Sequence, residues 1–220
     1  MTKRPVCFVF GAGTPPACPP KISSRDLVIA ADGGYNYTQK AGIKTDALIG
    51  DFDSIDAFPD ETADCLFVSR LSAEKDQTDL LAALQYGLGR GFSHFNIFGG
   101  TGGRLDHTLA NVQCLGFLAN NGARGYLHDG DSIVTALSGE MRLASRQSGT
   151  ISVFAFGNSA EGVCLRGLKY ELEDAELSCD FPLGVSNEFT GFPVYIKVER
   201  GTLLIVYPAG TREIETHPFL

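Results

Sequence analysis

Carboxylates, a lysine, an arginine and a run of glycines recur where apolar stretches of this chain give way to helical ones. Ile49-Gly50-Asp51-Phe52-Asp53-Ser54 carries two acids at i and i+2. In extended backbone such residues point the same way, so Asp51 and Asp53 are expected about 7 Å apart, with Phe52 turned into the core. A pair like that suits one hard cation, because Mg²⁺ is held by one or two carboxylates together with phosphate oxygens and water. A solvated acidic turn is the plainer alternative. Ala30-Ala31-Asp32-Gly33-Gly34 places Asp32 directly after an apolar run, with glycines that let backbone approach a ligand, although a helix N-cap would look the same. In Glu74-Lys75-Asp76-Gln77-Thr78-Asp79, just before Leu80, the helix dipole explains a carboxylate. It does not explain Lys75, which among several acids suits a site handling both metal and phosphate. Gly99-Gly100-Thr101-Gly102-Gly103-Arg104-Leu105-Asp106-His107 packs four glycines into five residues. The backbone N–H groups of such a loop, Gly102 and Gly103 included, can converge on an anion, and the Arg104 guanidinium matches phosphate oxygens. The loop is neither a Walker A sequence nor a dinucleotide fingerprint. Together these parts fit transfer chemistry on a metal-bound nucleotide, where the protein mainly positions groups and neutralises charge.

Such clusters must be held at one edge of a scaffold. Residues 6–10, 27–31, 47–49, 66–68 and 95–98 are short, continuously apolar runs, as buried parallel strands require. Between them lie helical patterns: Leu80, Leu81, Leu84 and Leu88 form one stripe over 78–88, and Leu105, Leu109, Val112 and Leu115 another over 105–118. This alternation predicts a layered α/β domain with a mostly parallel sheet over residues 1–130, whose ligand site lies at the carboxyl ends of the strands. After Gly130 the helical periodicity stops. Residues 132–137, 150–156, 163–166, 176–179, 194–199 and 202–207 alternate and are separated by turn residues such as Gly157-Asn158 and Arg200-Gly201. Residues 131–220 are therefore expected to form an antiparallel β-sandwich. Its aromatic residues, Phe154, Phe156, Phe181, Phe189, Phe192 and Tyr195, are expected in the sandwich core, with Phe189 and Phe192 the two whose loop setting leaves a ligand role open.

Composition narrows the function further. The 220 residues carry 18 Lys+Arg against 26 Asp+Glu, a net charge of −8. That balance argues against nucleic-acid binding, which needs a basic footprint. No run of 18 apolar residues is present, so no membrane span is expected. The short apolar stretch before Gly11 is not expected to act as an export signal. Six cysteines without a C-x-x-C pair read as free thiols rather than a zinc site, which fits the reducing cytoplasm. His94, His128 and His217 lack metal-ligand spacing and read as structural or exposed.

The ordered set AADGG (30–34), GDFDS (50–54), EKDQTD (74–79), GGTGGRLDHTLAN (99–111) and GVSNEF (184–189) resembles the thiamine pyrophosphokinase family over nearly the whole chain. The resemblance implies transfer of the pyrophosphoryl group of ATP to the hydroxyethyl oxygen of thiamine, giving thiamine diphosphate and AMP. It implies that Asp51, Asp53 and Asp79 hold Mg²⁺. Asp32, Lys75, Asp76, Gly102, Gly103, Arg104, Asp106, His107 and Asn111 would line the nucleotide side, and Ser186, Asn187 and Phe189 would contact thiamine. It also implies a homodimer in which the sandwich of one subunit completes the α/β site of the other. The chain has no Trp to stack on thiamine, so an aromatic such as Phe189 or Phe192 must serve. An acidic pocket and an aromatic face both suit the thiazolium cation. The hydroxyl proton could pass to an Asp of the metal cluster or to His107. A metal-dependent nucleotide hydrolase or nucleotidyltransferase, and a non-catalytic nucleotide or thiamine binder, are the competing readings; thiamine-dependent AMP formation separates them.

Overall fold

A computed structural model describes residues 4–58, 67–72 and 76–214 of the chain. Two compact units divide it, Met1–Gly130 and Asp131–Leu220. No helix among the described residues is long and apolar enough to cross a membrane.

In the first unit β1 (Cys7–Phe10), β2 (Leu27–Ala31), α1 (Gly34–Lys40), β3 (Ala47–Gly50), β4 (Phe67–Arg70), α2 (Asp79–Gly89), β5 (His94–Phe98), α3 (Leu105–Asn120) and β6 (Arg124–Asp129) follow one another. All strand pairings here are parallel, in the order β6-β5-β1-β2-β3-β4. The central strands are buried on both faces: Cys7, Val9, Ile29, Ala30, Ala47, Leu48, Phe95 and Ile97 are all inaccessible. On one face Phe10 stacks with Tyr37 of α1, ring centres 5.4 Å apart. On the other α2 lies so close that a Cβ on Gly87 would stand 2.6 Å from the Phe95 ring and 2.9 Å from Cys7 Sγ. Helices thus cover both faces. The chain leaves β1 through β2, β3 and β4 on one side and returns to β5 and β6 on the other, so the order reverses between β1 and β5, where open α/β sheets bind ligands.

Two sequence expectations change here. α3 does not bury the Leu105/Leu109 stripe: these are 71% and 59% exposed, and burial begins at Asn111 and continues through Cys114, Leu115 and Leu118. The first two turns of α3 are the glycine-loop end of the helix, and its buried side chains, which pack toward the core, lie in the later turns. β6 itself carries too little apolar character to be read as a strand, and Gly125 within it exists for contact: a Cβ there would meet Leu118 Cδ1 at 2.6 Å.

The second unit contains β7 (Ser132–Leu143), β8 (Thr150–Ala155), β9 (Ala160–Arg166), β10 (Leu172–Leu177), β11 (Asn187–Glu188) and β12 (Val194–Pro208), all paired antiparallel. β12 is continuous where two strands and a turn were expected. Gly201, at φ +94°, makes a bulge, and the register with β7 shifts between Val198 and Leu203. Before the bulge β12 pairs with β9, and after it with β8, so one strand serves both layers of the sandwich. Phe189 is 4% exposed, but Phe181 and Phe192 lie on the surface at 65% and 67% rather than in the core.

Candidate active site

The carboxyl edge of the parallel sheet is built by close backbone contact. Gly11 N–H donates to the Phe98 carbonyl at 2.8 Å, Gly13 N–H to Gly99 at 2.8 Å and Thr14 N–H to Thr101 at 2.7 Å. The loops after β1 and β5 are zipped together at the switch point. Glycine is required at Gly99, which has φ +64° and where a Cβ would stand 2.3 Å from the Gly11 carbonyl oxygen. Two side chains fix the rest of the loop. Asn111, buried on α3, donates from Nδ2 to the Gly100 carbonyl at 2.8 Å, and Thr101 Oγ1 donates to Asp129 at 2.7 Å. Asn111 therefore shapes the loop from behind. Gly102 and Gly103 are exposed at its tip, Gly102 at φ +80°.

Asp32 follows β2 and Asp51 follows β3. The structure brings Asp32, Asp51 and Asp53 together, with carboxylate oxygens all within 4.8 Å of one another. They do not reach this by the expected extended geometry. Phe52 has φ +70°, a left-handed conformation unusual for a bulky residue, which folds Asp53 back so that its N–H donates weakly to Asp51 Oδ1 at 3.4 Å. Ser54 Oγ donates to Asp53 Oδ1 at 2.7 Å. Asn36 of α1 ties the following turn, donating to the Ser54 carbonyl and accepting from Asp56 N–H, each at 2.9 Å. The Phe52 ring packs beside Ala30, Tyr35 and Leu48, and the Arg70 guanidinium lies over it at 5.4 Å.

Asp32 differs from the acids that hold the fold. Asp26 accepts from Val6 N–H and Ser23, and Asp46 accepts from Val28 N–H. Asp32, also in left-handed backbone at φ +46° and only 9% exposed, has a buried Oδ1 with no hydrogen-bond partner. A carboxylate with a buried, unpartnered oxygen in a group of three acids is costly unless a cation joins it. The donor set is all hard oxygen, which fits Mg²⁺ rather than zinc or copper.

The remaining expected residues fall into three groups. Asp79 opens α2, where Thr78 Oγ1 caps the helix by accepting from Leu81 N–H at 3.2 Å; Asp79 is not one of the three clustered acids. Asp76 is exposed just before it, and Lys75 lies outside the described residues. Arg104, at the mouth of the glycine loop, grips Asp106 through both oxygens, at 3.1 and 2.6 Å. That pairing raises the guanidinium pKa and lowers the carboxyl pKa, and Asp106 also accepts from His107 N–H at 3.0 Å. His107 itself is exposed.

In the second unit Ser186 is exposed in left-handed backbone at φ +59°, its N–H donating to Ser152 Oγ at 3.1 Å. Asn187 is 3% exposed and fully committed: Oδ1 accepts from Tyr170 and Glu188 N–H, and Nδ2 donates to the Tyr170 carbonyl at 2.6 Å. Phe189 forms a bridge with Leu168 and is buried. These two residues build the turn that presents Ser186. Asn36 and Arg70 carry no motif of their own in the sequence, and only the fold brings them to the edge.

The family profile described as "Thiamin pyrophosphokinase, catalytic domain" matches residues 19–127, and "Thiamin pyrophosphokinase, vitamin B1 binding domain" matches residues 140–203. The thiamine pyrophosphokinase of Bacillus subtilis (strain 168) is 31% identical over 186 residues, covering 82% of this chain and 86% of that protein. The crystal structure of the Bacillus subtilis thiamine pyrophosphokinase superposes with a TM-score of 0.79 at 28% identity, over 93% of this chain and 99% of that one. The structure from Geobacillus thermodenitrificans gives 0.77 at 25% identity, over 93% and 97%.

Proposed function

We propose how this site works from one premise: the chain belongs to the thiamine pyrophosphokinase family. It transfers the pyrophosphoryl group of ATP to thiamine, giving thiamine diphosphate and AMP. On our reading Asp51 and Asp53 hold Mg²⁺, Asp32 adds a carboxylate that the resemblance assigns to the nucleotide, and Asp79, at the start of α2 outside that cluster, keeps the ligand role that the resemblance implies. The observation that supports this is the buried, unpartnered Oδ1 of Asp32 within the three-acid cluster. When bound, Mg²⁺ neutralises charge on the phosphate oxygens. The chain's own residues do the positioning. The glycine loop, shaped by Asn111, turns N–H groups toward phosphate, with Arg104, Asp106 and His107 following it in the chain; Asp76 is assigned to the same nucleotide side, as is Lys75, which lies outside the described residues. The thiamine hydroxyl attacks the β-phosphorus in line with the departing AMP oxygen, and its proton passes to a carboxylate of the cluster or to His107.

In the second unit Ser186 contacts thiamine, and Asn187 with Phe189 holds it in place. Exposed Phe192 is the better aromatic for the thiazolium, since Phe189 is buried. We further assign a cytoplasmic homodimer; Leu105 and Leu109 on one unit, and Phe181, Leu183 and Val185 on the other, supply exposed apolar surface for such an assembly. AMP release from Mg-ATP, with and without thiamine, tests the function beside Asp53→Asn. Thiamine-dependent AMP that is lost in the variant is the expected result. ADP, free phosphate, or AMP indifferent to thiamine would overturn it.

A further inference from the structure

Arg70 ends β4 in register with Gly50, the residue that leads into Asp51. Leu71 N–H continues the pairing, donating to the Gly50 carbonyl at 2.8 Å. The neighbouring strand therefore delivers Arg70 to the same edge as the carboxylate cluster. There the guanidinium lies over the Phe52 ring, 5.4 Å from its centre, within the range of cation–π attraction. The ring is held in turn by Phe58, edge-on at 5.3 Å, and by packing on the Ala30–Tyr35–Leu48 cluster. Phe52 sits in sequence between Asp51 and Asp53, so the platform for the cation and the turn that gathers two acids are one element.

Two other cations of this unit, among the described residues, are already engaged. Arg104 is bound to Asp106 through both oxygens, and Lys40 lies 3.6 Å from Asp56. Arg70 has no carboxylate partner among the described residues. A guanidinium held over an aromatic ring spends none of its N–H donors on a carboxylate and can still fork onto phosphate oxygens.

We propose that Arg70 grips the phosphate chain of ATP, with Phe52 as its positioning residue. This rests on reading the acid cluster as the phosphate end of the nucleotide site. Both ATP and the product carry a pyrophosphate group, and AMP does not, which gives the test its arms. Affinities for ATP, AMP and thiamine diphosphate are measured by displacement of a fluorescent ATP analogue, in metal-free buffer and with Mg²⁺. The proteins are wild type, Arg70→Ala, Arg70→Lys, Phe52→Leu and the Arg70→Ala/Phe52→Leu double variant, each with its denaturation midpoint.

Losing a charge-assisted contact costs roughly tenfold to hundredfold in affinity. Arg70→Ala is expected to weaken ATP by that range in both buffers while AMP is unchanged. Arg70→Lys falls between, keeping charge without the fork. Phe52→Leu weakens ATP in the same direction, and the double variant is less than additive because both act on one contact. A parallel loss for thiamine diphosphate assigns the grip to the transferred group; loss for ATP alone assigns it to the donor. ATP affinity within about twofold of wild type in a normally folded Arg70→Ala would overturn the proposal, as would equal weakening of AMP and ATP. Thiamine-dependent AMP release by the wild type is scored separately, so failure of the reaction and failure of the grip are distinct results.

Discussion

Replacing Asp32 by Asn should make the metal-free protein more stable and the Mg²⁺-loaded protein less so. Asp32, Asp51 and Asp53 hold carboxylate oxygens within 4.8 Å of one another. At an effective dielectric of about 20, two unit charges at that separation repel by roughly 3.5 kcal/mol, and in bulk water by less than about 1. Asp32 is buried but Asp53 is exposed, so screening brings the relief from both pairs to roughly 1–3 kcal/mol. Asn keeps the shape, tolerates the left-handed φ of +46° at this position, and can donate to its neighbours. For a chain of this size the relief corresponds to a rise of roughly 2–10 °C in denaturation midpoint. A cation at one hundred times its dissociation constant stabilises wild type by about 2.7 kcal/mol, and Asn at position 32 should remove most of that. Thermal denaturation in EDTA and across a Mg²⁺ titration reads both effects, and the two proteins should exchange rank. A variant that is less stable in EDTA and keeps its Mg²⁺ shift would refute the reasoning, because Asp32 would then be an ordinary turn residue.

Two further outcomes follow from buried polar groups elsewhere in the first unit. Asn111→Ala leaves the Gly100 carbonyl without its donor, so stability should fall by about 1–3 kcal/mol and the KM for ATP should rise severalfold; urea denaturation and initial rates check this, and an unmoved KM would mean the glycine loop holds its own shape. Burial lowers His128 to about 4, where it stacks on Phe98 at 4.3 Å with Nε2 2.8 Å from Asn96 Oδ1. The unfolded chain binds the proton near pH ~6.5 and the folded chain does not, so stability falls as pH drops from there toward 4, by about 3 kcal/mol at most. His128→Phe should flatten that part of the pH dependence, read from urea midpoints at neutral and mildly acidic pH; equal slopes in both proteins would sink the assignment.

How far the fold could be read depended on whether burial writes a periodic pattern. β1 and β2 are buried on both faces and read as unbroken apolar runs, and β5 is read from Phe95, Ile97 and Phe98 although Asn96 interrupts it. β6, with the sequence RGYLHD, has alternating burial and a glycine whose place is set by Leu115 and Leu118 of α3, a contact no local pattern announces. α3 misled in the opposite sense. Leu105 and Leu109 complete a convincing stripe, yet the turns that carry them stand at the glycine-loop end, and the buried face is the one through Asn111 and Cys114. Arg200-Gly201 reads as a hairpin turn, but β7 pairs with β12 on both sides of it and leaves the chain no room to reverse.

The site was legible in its residue types and opaque in its geometry, for a reason visible in the backbone. Four non-glycine residues among those described have positive φ: Asp32, Phe52, Asp174 and Ser186. Three of them lie inside the AADGG, GDFDS and GVSNEF motifs. Left-handed backbone is disfavoured for any residue with a Cβ, so reading by propensity assigns extended conformation and spaces Asp51 and Asp53 about 7 Å apart. The surrounding structure overrides that preference. Core packing and Arg70 hold the Phe52 ring, and Asn36 fixes the turn after it. Such strain, of order 1–3 kcal/mol per residue, persists only where neighbouring contacts over-determine it. At Phe52 the consequence is that two acids repel at close range in a place the fold will not let them leave. A turn with extended φ would have relaxed that repulsion by spacing the two acids about 7 Å apart. The same backbone that makes the cluster hard to foresee is therefore what keeps the three carboxylates within 4.8 Å of one another, the arrangement that our reading assigns to a cation.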